Sequence, residues 1–143
     1  MVRRLAAVFA AGAGVVLLAA APASAATPEI TVSPSTGLHD GQSVTVTGQG
    51  FAAGDQVGAM QCGPGDWPAV SCDFADRSVV TTDSAGGFST TVTVRAAFDG
   101  VSPVDGSPAG KVDCTATPGC SLRSGSIADS SVFASPVALG FGG

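Results

Sequence analysis

Residues 88–95 read Phe88-Ser89-Thr90-Thr91-Val92-Thr93-Val94-Arg95. Phe88, Thr90, Val92 and Val94 fall on one side of an extended chain, with Ser89, Thr91, Thr93 and Arg95 on the other. β-branched residues dominate the run, and period-2 alternation makes one face apolar and the other wet. That is a strand of an antiparallel sheet with one buried face.

Shorter runs of the same kind lie on both sides: Glu29–Ser33, Ser43–Thr47, Gln56–Gln61, Ser78–Thr82, Lys111–Cys114 and Val137–Phe141. Turn-forming stretches separate them, among them His39-Asp-Gly41, Ala52-Ala-Gly54, Asp83-Ser-Ala-Gly86-Gly87 and Asp105-Gly106. About seven short strands with this punctuation, in a chain rich in Val, Thr, Ser and Gly, predict an all-β sandwich. Ala96–Gly110 and Ser121–Ser131 carry little regular signal and are expected to be long loops, where function tends to reside.

The first 25 residues read differently. A basic start ending in Arg3-Arg4, the apolar run Leu5–Ala21, and small residues at the Ala-x-Ala positions up to Ala25 form a secretory signal peptide. Cleavage after Ala25 leaves one domain, residues 26–143, in a secreted, extracellular protein. Four basic residues (Arg77, Arg95, Lys111, Arg123) then stand against all eleven acids, a balance of −7. So acidic a polypeptide repels phosphate backbones, and direct nucleic-acid binding is not expected. No segment of the domain suits a bilayer, and a monomer is expected.

Four cysteines in an exported chain read as two disulfides. Three pairings are possible. The turn-rich segments Gly63-Pro64-Gly65 and Thr117-Pro118-Gly119 favour the local pairs Cys62–Cys72 and Cys114–Cys120. A staple on a loop of this size contributes about 3 kcal/mol in the chain-entropy model.

Motifs for catalysis or metal binding fail on inspection. Gly48-Gln-Gly50-Phe-Ala-Ala-Gly54 resembles a dinucleotide fingerprint, but its spacing is one residue too long and a strand follows where a helix is needed. Gly106-Ser-Pro-Ala-Gly110-Lys111 is one residue short of a phosphate loop, with Val112 in the Ser/Thr position. The only histidine, His39, sits in a turn without a nucleophile elbow elsewhere. No metal site and no catalytic set can be assembled, so the protein does not read as an enzyme.

A binding reading remains. The only tryptophan, Trp67, lies in the Gly- and Pro-rich loop between Cys62 and Cys72, and Phe74 lies just beyond it. Rings on a stapled loop make low-entropy walls for a flat ligand. Trp67 either lines such a site or caps the core; Phe74 reads first as core.

Thr31-Val-Ser-Pro-Ser-Thr-Gly-Leu-His-Asp-Gly41, Val57-Gly-Ala-Met-Gln-Cys62, Thr81-Thr-Asp-Ser-Ala-Gly86, Val94-Arg95 and Gly110-Lys-Val-Asp-Cys114 together resemble the neocarzinostatin family, the apoproteins of enediyne chromoproteins. The likeness runs from about Ala26 to the end of the chain and includes both cysteine pairs. It implies an immunoglobulin-like seven-stranded antiparallel sandwich with a small two-stranded ribbon, local disulfide pairing, and a cleft between sandwich and ribbon.

In the family this cleft holds a labile, non-covalently bound enediyne-type chromophore, and the released chromophore rather than the protein attacks DNA. Carried over, the Cys62–Cys72 bridge forms part of the cleft floor, Gly58 and Gln61 flank it on one strand, and Val70 takes an apolar wall position. Three aromatic positions of the family fall here on Pro64, Arg77 and Val104. The expected ligand is a small apolar, ring-containing natural product in a site formed by Trp67, Val70, Phe74, Val104, Gly58, Gln61 and Arg77. The rival reading is a non-enzymatic extracellular interaction module that kept the fold and lost the chromophore.

Overall fold

The computed structural model describes residues 12–14 and 26–142. The expected cleavage site at Ala25, and the expected leader apart from residues 12–14, lie outside the described residues. Nine strands follow in order: β1 (Glu29–Ser33), β2 (Gln42–Gln49), β3 (Gln56–Cys62), β4 (Ser78–Thr81), β5 (Phe88–Val94), β6 (Ala97–Val101), β7 (Pro108–Asp113), β8 (Cys120–Ser126) and β9 (Val137–Leu139). They form a three-stranded sheet β1-β2-β5, a four-stranded sheet β4-β3-β8-β9 and a two-stranded ribbon β6-β7, all antiparallel. Seven strands in two sheets plus a ribbon is the architecture the family resemblance implies. Among the described residues there is no helix.

The alternation seen at residues 88–95 fixes the core. Val44 faces Val92 across the β2–β5 ladder, and both are buried. Val57, Ala59 and Leu122 of the other sheet meet them at 0 % exposure. Burying each aliphatic side chain stabilises the fold by roughly 1.5–3 kcal/mol. The rings of Phe51 and Phe88 lie 5.7 Å apart near one end. Gly48, opposite Phe88 in register, carries no side chain because the Phe88 ring occupies the space a Cβ would need.

Two regions expected as loops contain strands. Ala96–Gly110 holds β6 and the start of β7, and Ser121–Ser131 holds most of β8. The alternation is present in both, but its inward residues are not hydrophobic throughout. β8 turns Ser124 and Ser126 inward alongside Leu122, and Ser124 Oγ donates to the Gly58 carbonyl at 2.9 Å. β6 turns Phe98 and Gly100 inward. A Cβ on Gly100 would lie 2.9 Å from Ser71 Cβ and 3.0 Å from the Gly110 oxygen, so the ribbon can close against its neighbour only over a bare backbone.

The disulfides pair locally, Cys62–Cys72 and Cys114–Cys120. The first brings Cys72 beside the end of β3, and Cys72 exchanges backbone hydrogen bonds of 2.9 Å in both directions with Val101. Cys72 thus joins the ribbon to the four-stranded sheet. Val112 of β7 packs over Gly63, and the second disulfide ties the ribbon's exit to the start of β8.

Candidate functional site

Burial along β3 and β8 separates two faces. Val57, Ala59, Leu122 and Ser124 face the other sheet; Gly58, Met60, Arg123 and Gly125 face away from it. On this outer face the register sets Val79, Gly58 and Gly125 side by side, and Phe133 bridges Gly125 on the far side. A Cβ placed on Gly58 would meet nothing nearer than Ile127 Cγ1 at 3.9 Å. Gly58 therefore leaves a hollow in the sheet, bordered by Val79, Ile127 and Phe133, which are 50 %, 55 % and 62 % exposed. A Cβ on Gly125 would lie 3.2 Å from both Phe133 Cβ and the Val132 oxygen, so Gly125 lets Phe133 close over the sheet beside the hollow. An apolar rim of this kind is where a soluble protein meets a partner or ligand.

Toward the disulfide the same face gains a small core of its own. Cys62, Val70 and Cys72 are buried together, with Met60 and Phe74 packed against them. The Arg77 guanidinium lies 4.7 Å from the centre of the Phe74 ring, a cation–π contact. Arg123, opposite Met60 in register, donates from Nη2 to the Gly65 carbonyl at 2.6 Å and from Nε to Ser121 Oγ at 3.3 Å. Arg123 thereby ties the disulfide loop to β8.

Gln61 points the other way. Its side chain is 1 % exposed; Nε2 donates to the Arg95 carbonyl at 2.7 Å, and Oε1 accepts from the Arg95 N–H at 2.7 Å. Nε2 also lies 3.0 Å from Cys114 Sγ. The amide thus takes the place of a neighbouring strand's backbone where the chain leaves β5 for the ribbon. Gln61 was expected to line the cleft; period 2 along β3 puts it on the opposite face from Gly58 and Met60, where it positions the ribbon.

The charges below the loop are ordered. Asp73 is buried, and its Oδ1 accepts from the N–H groups of Ala75 and Asp76 at 3.0 and 3.3 Å, while Oδ2 has no partner. Burial pushes the Asp73 carboxyl pKa up. The hydrogen bond from Arg95, with Nε 2.8 Å from Oδ2, holds Asp76 below the usual range.

Of the remaining expected site residues, Val70 is buried beneath the loop and Phe74 is half-buried against it. Trp67 is 55 % exposed, so it does not cap the core. Val104 stands 61 % exposed between β6 and β7, at the ribbon tip. Sequence reasoning missed Met60, Val79, Arg123, Gly125, Ile127 and Phe133. Glycines inside strands were the available signal, since such positions mark close approach of a ligand or another backbone. His39 lies in the turn before β2, and its N–H donates to Gln42 Oε1 at 3.0 Å. Among the described residues, no three His, Cys, Asp or Glu side chains are grouped to hold a metal, and no helix is long and apolar enough to cross a membrane.

The chain resembles characterised proteins along most of its length. It is 42 % identical over 132 residues to the antitumor antibiotic C-1027 apoprotein of Streptomyces globisporus, covering 91 % of this chain and 87 % of that one. Over 99 residues it is 35 % identical to macromomycin of Streptomyces macromomyceticus, covering 69 % and 68 %. The solved structure of macromomycin superposes with a TM-score of 0.69 at 32 % identity, over 79 % of this chain and 99 % of that one. Apokedarcidin in solution gives 0.61 at 36 %, over 82 % and 100 %. The sequence profile of the neocarzinostatin family matches residues 30–141, and the chain belongs to that family.

Proposed function

We propose that this protein is a secreted apoprotein that binds a labile, ring-containing natural product non-covalently and shields it, with enediyne-type chromophores as the ligand class. Any damage to DNA would come from the released ligand, because so acidic a polypeptide repels phosphate backbones. The observation that carries the reading is the hollow over Gly58. A flat apolar molecule seated there would cover Val79, Ile127 and Phe133, with Met60 and the Cys62–Cys72 bridge beside it. The disulfide and the Arg123–Gly65 hydrogen bond fix the loop before the ligand arrives, so little ordering entropy is lost on binding. Sequestration from water and thiols is then the whole mechanism, and no catalytic group is required.

Gly58→Leu tests this directly. A Cβ at this position meets no atom closer than 3.9 Å and needs no unusual backbone angle, so the backbone accepts a side chain there, and the leucine extends into the hollow. Domain 26–143 is titrated with an organic-solvent extract of the producing culture while Trp67 emission and the unfolding temperature are followed. The expected result is a changed emission and a stabilisation of about 2.7 kcal/mol at one hundred times Kd, both lost in Gly58→Leu. Equal responses from both proteins would remove the ligand from this face.

The exposure of Ile127 and Phe133 also favours a second reading, in which the face docks another extracellular protein. A folded domain that responds to no component of the extract, yet loses a protein partner on Phe133→Ser, would establish it.

A further inference from the structure

The domain carries four basic side chains among eleven acids. Arg95 is paired with Asp76 at 2.8 Å and Lys111 with Asp99 at 3.3 Å, and these are the only ion pairs among the described residues. The two cations without a carboxylate are Arg77 and Arg123. In a domain with eleven acids to four bases, leaving these two unpaired on one surface singles that surface out.

Both belong to the outer face of the four-stranded sheet. Arg123 alternates with Gly125 in β8 and stands opposite Met60. Arg77 lies two residues before Val79, and its guanidinium covers Phe74, which packs against the same small core as Met60. The row of Met60 and Arg123 is thus one step, roughly 7 Å, from the row that holds the hollow at Gly58. The acceptors of Arg123 are neutral, the Gly65 carbonyl and Ser121 Oγ, which hold the guanidinium in place without cancelling its charge.

We propose that the ligand of this face is acidic: a flat apolar ring system seated over Gly58 between Val79, Ile127 and Phe133, with a carboxylate or phenolate held by Arg123 and Arg77 as a second cation. This rests on the ligand-carrier reading and narrows its ligand class. A seated ring excludes water from the guanidinium and strengthens its pairing with an anion, which prefers the planar donor fork of arginine. The domain's net charge of −7 repels acidic solutes everywhere else, so the two arginines also set where such a ligand lands.

The test uses three probes of one ring size: 2-naphthoate, 2-naphthamide and 2-naphthylmethylammonium, with binding read from Trp67 emission and amide NMR shifts around Gly58. Naphthoate is expected to bind about tenfold more tightly than the amide, and the ammonium most weakly, as one charge-assisted contact dictates. Arg123→Gln removes most of that preference; it also cuts the Gly65 tie, so the ratio of naphthoate to amide affinity, rather than either affinity alone, is the readout. Arg77→Gln, which does not touch the Gly65 tie, removes a smaller part and keeps the question open to a clear answer if Arg123→Gln fails to fold. Raising ionic strength from about 0.01 to 1 M weakens naphthoate alone. Equal binding of naphthoate and amide, or tightest binding of the ammonium, overturns the acidic ligand while leaving the cleft standing. Silence from all three probes overturns both.

Discussion

Between the sheets, Val44, Val46, Val57, Val92, Val94 and Leu122 are each at most 2 % exposed; on the outer face of the four-stranded sheet, Val79, Ile127 and Phe133 are at least half exposed. The two faces share strands, and Leu122 and Arg123 are adjacent in β8. The inner face is filled by aliphatic side chains from both sheets, so packing alone holds it. The outer face is bare at Gly58, and the structure beside it is held by a disulfide, a buried amide and an arginine. One side of the sheet makes the fold; the other keeps an open surface in a fixed shape. Leu122→Ala is therefore expected to cost about 3–4 kcal/mol, as large-to-small changes at fully buried sites do. Ile127→Ser should move stability by less than about 0.5 kcal/mol. Denaturant midpoints of the two variants measure the contrast, and comparable losses would mean that the outer face also supports the fold.

Gln61 joins the two regions. Replacing it by Leu keeps the volume but leaves the N–H and C=O of Arg95 without their partners. Unpaired, partly buried polar groups cost 1–3 kcal/mol, so Gln61→Leu is expected to lose about 2 kcal/mol. The loss should be local. Amide exchange should accelerate in β6 and β7 and at Cys72 while Val44–Val46 and Val92–Val94 keep their protection. Uniform acceleration would show that the ribbon and sandwich unfold as one unit and that the amide is not a hinge pin.

The legibility of the two regions from sequence follows the same division. Strands whose inward residues are Val and Phe, such as β2 and β5, could be read because hydrophobic alternation reports burial directly. β6 and β8 could not, since Gly100, Ser124 and Ser126 face inward for reasons of close approach and hydrogen bonding. Val70, expected from the family resemblance, and Phe74, expected from its place just beyond the second cysteine, both lie at the disulfide loop. Val79, Ile127 and Phe133 could not be read as site residues, because their relation to Gly58 exists only through pairings between β3, β4, β8 and the chain returning at Phe133. Gln61 faces away from Gly58 for a simpler reason: one step along a strand reverses the face.

Asp73 sharpens the comparison with the smallest effect. It lies under the disulfide loop, where burial raises its carboxyl pKa and Oδ2 has no partner. An acid whose pKa is higher in the folded than in the unfolded state opposes folding once the pH rises above the folded value. That penalty fades as the pH falls toward the ordinary value of 3.8 and below. Asp76 has the opposite sign: its pKa is lowered by Arg95, and its contribution is lost on acidification. Asp73→Asn preserves an oxygen acceptor for the Ala75 and Asp76 N–H groups and removes the buried charge. The variant is expected to be more stable than the parent by about 1 kcal/mol at pH 7. Below about pH 3.5 the gain should vanish, because the parent's Asp73 is then protonated in both states. Paired denaturant titrations at the two pH values measure it. A pH-independent gain would trace the effect to packing, and a loss at pH 7 would mean that the ionised carboxylate is needed to brace the loop beside the outer face.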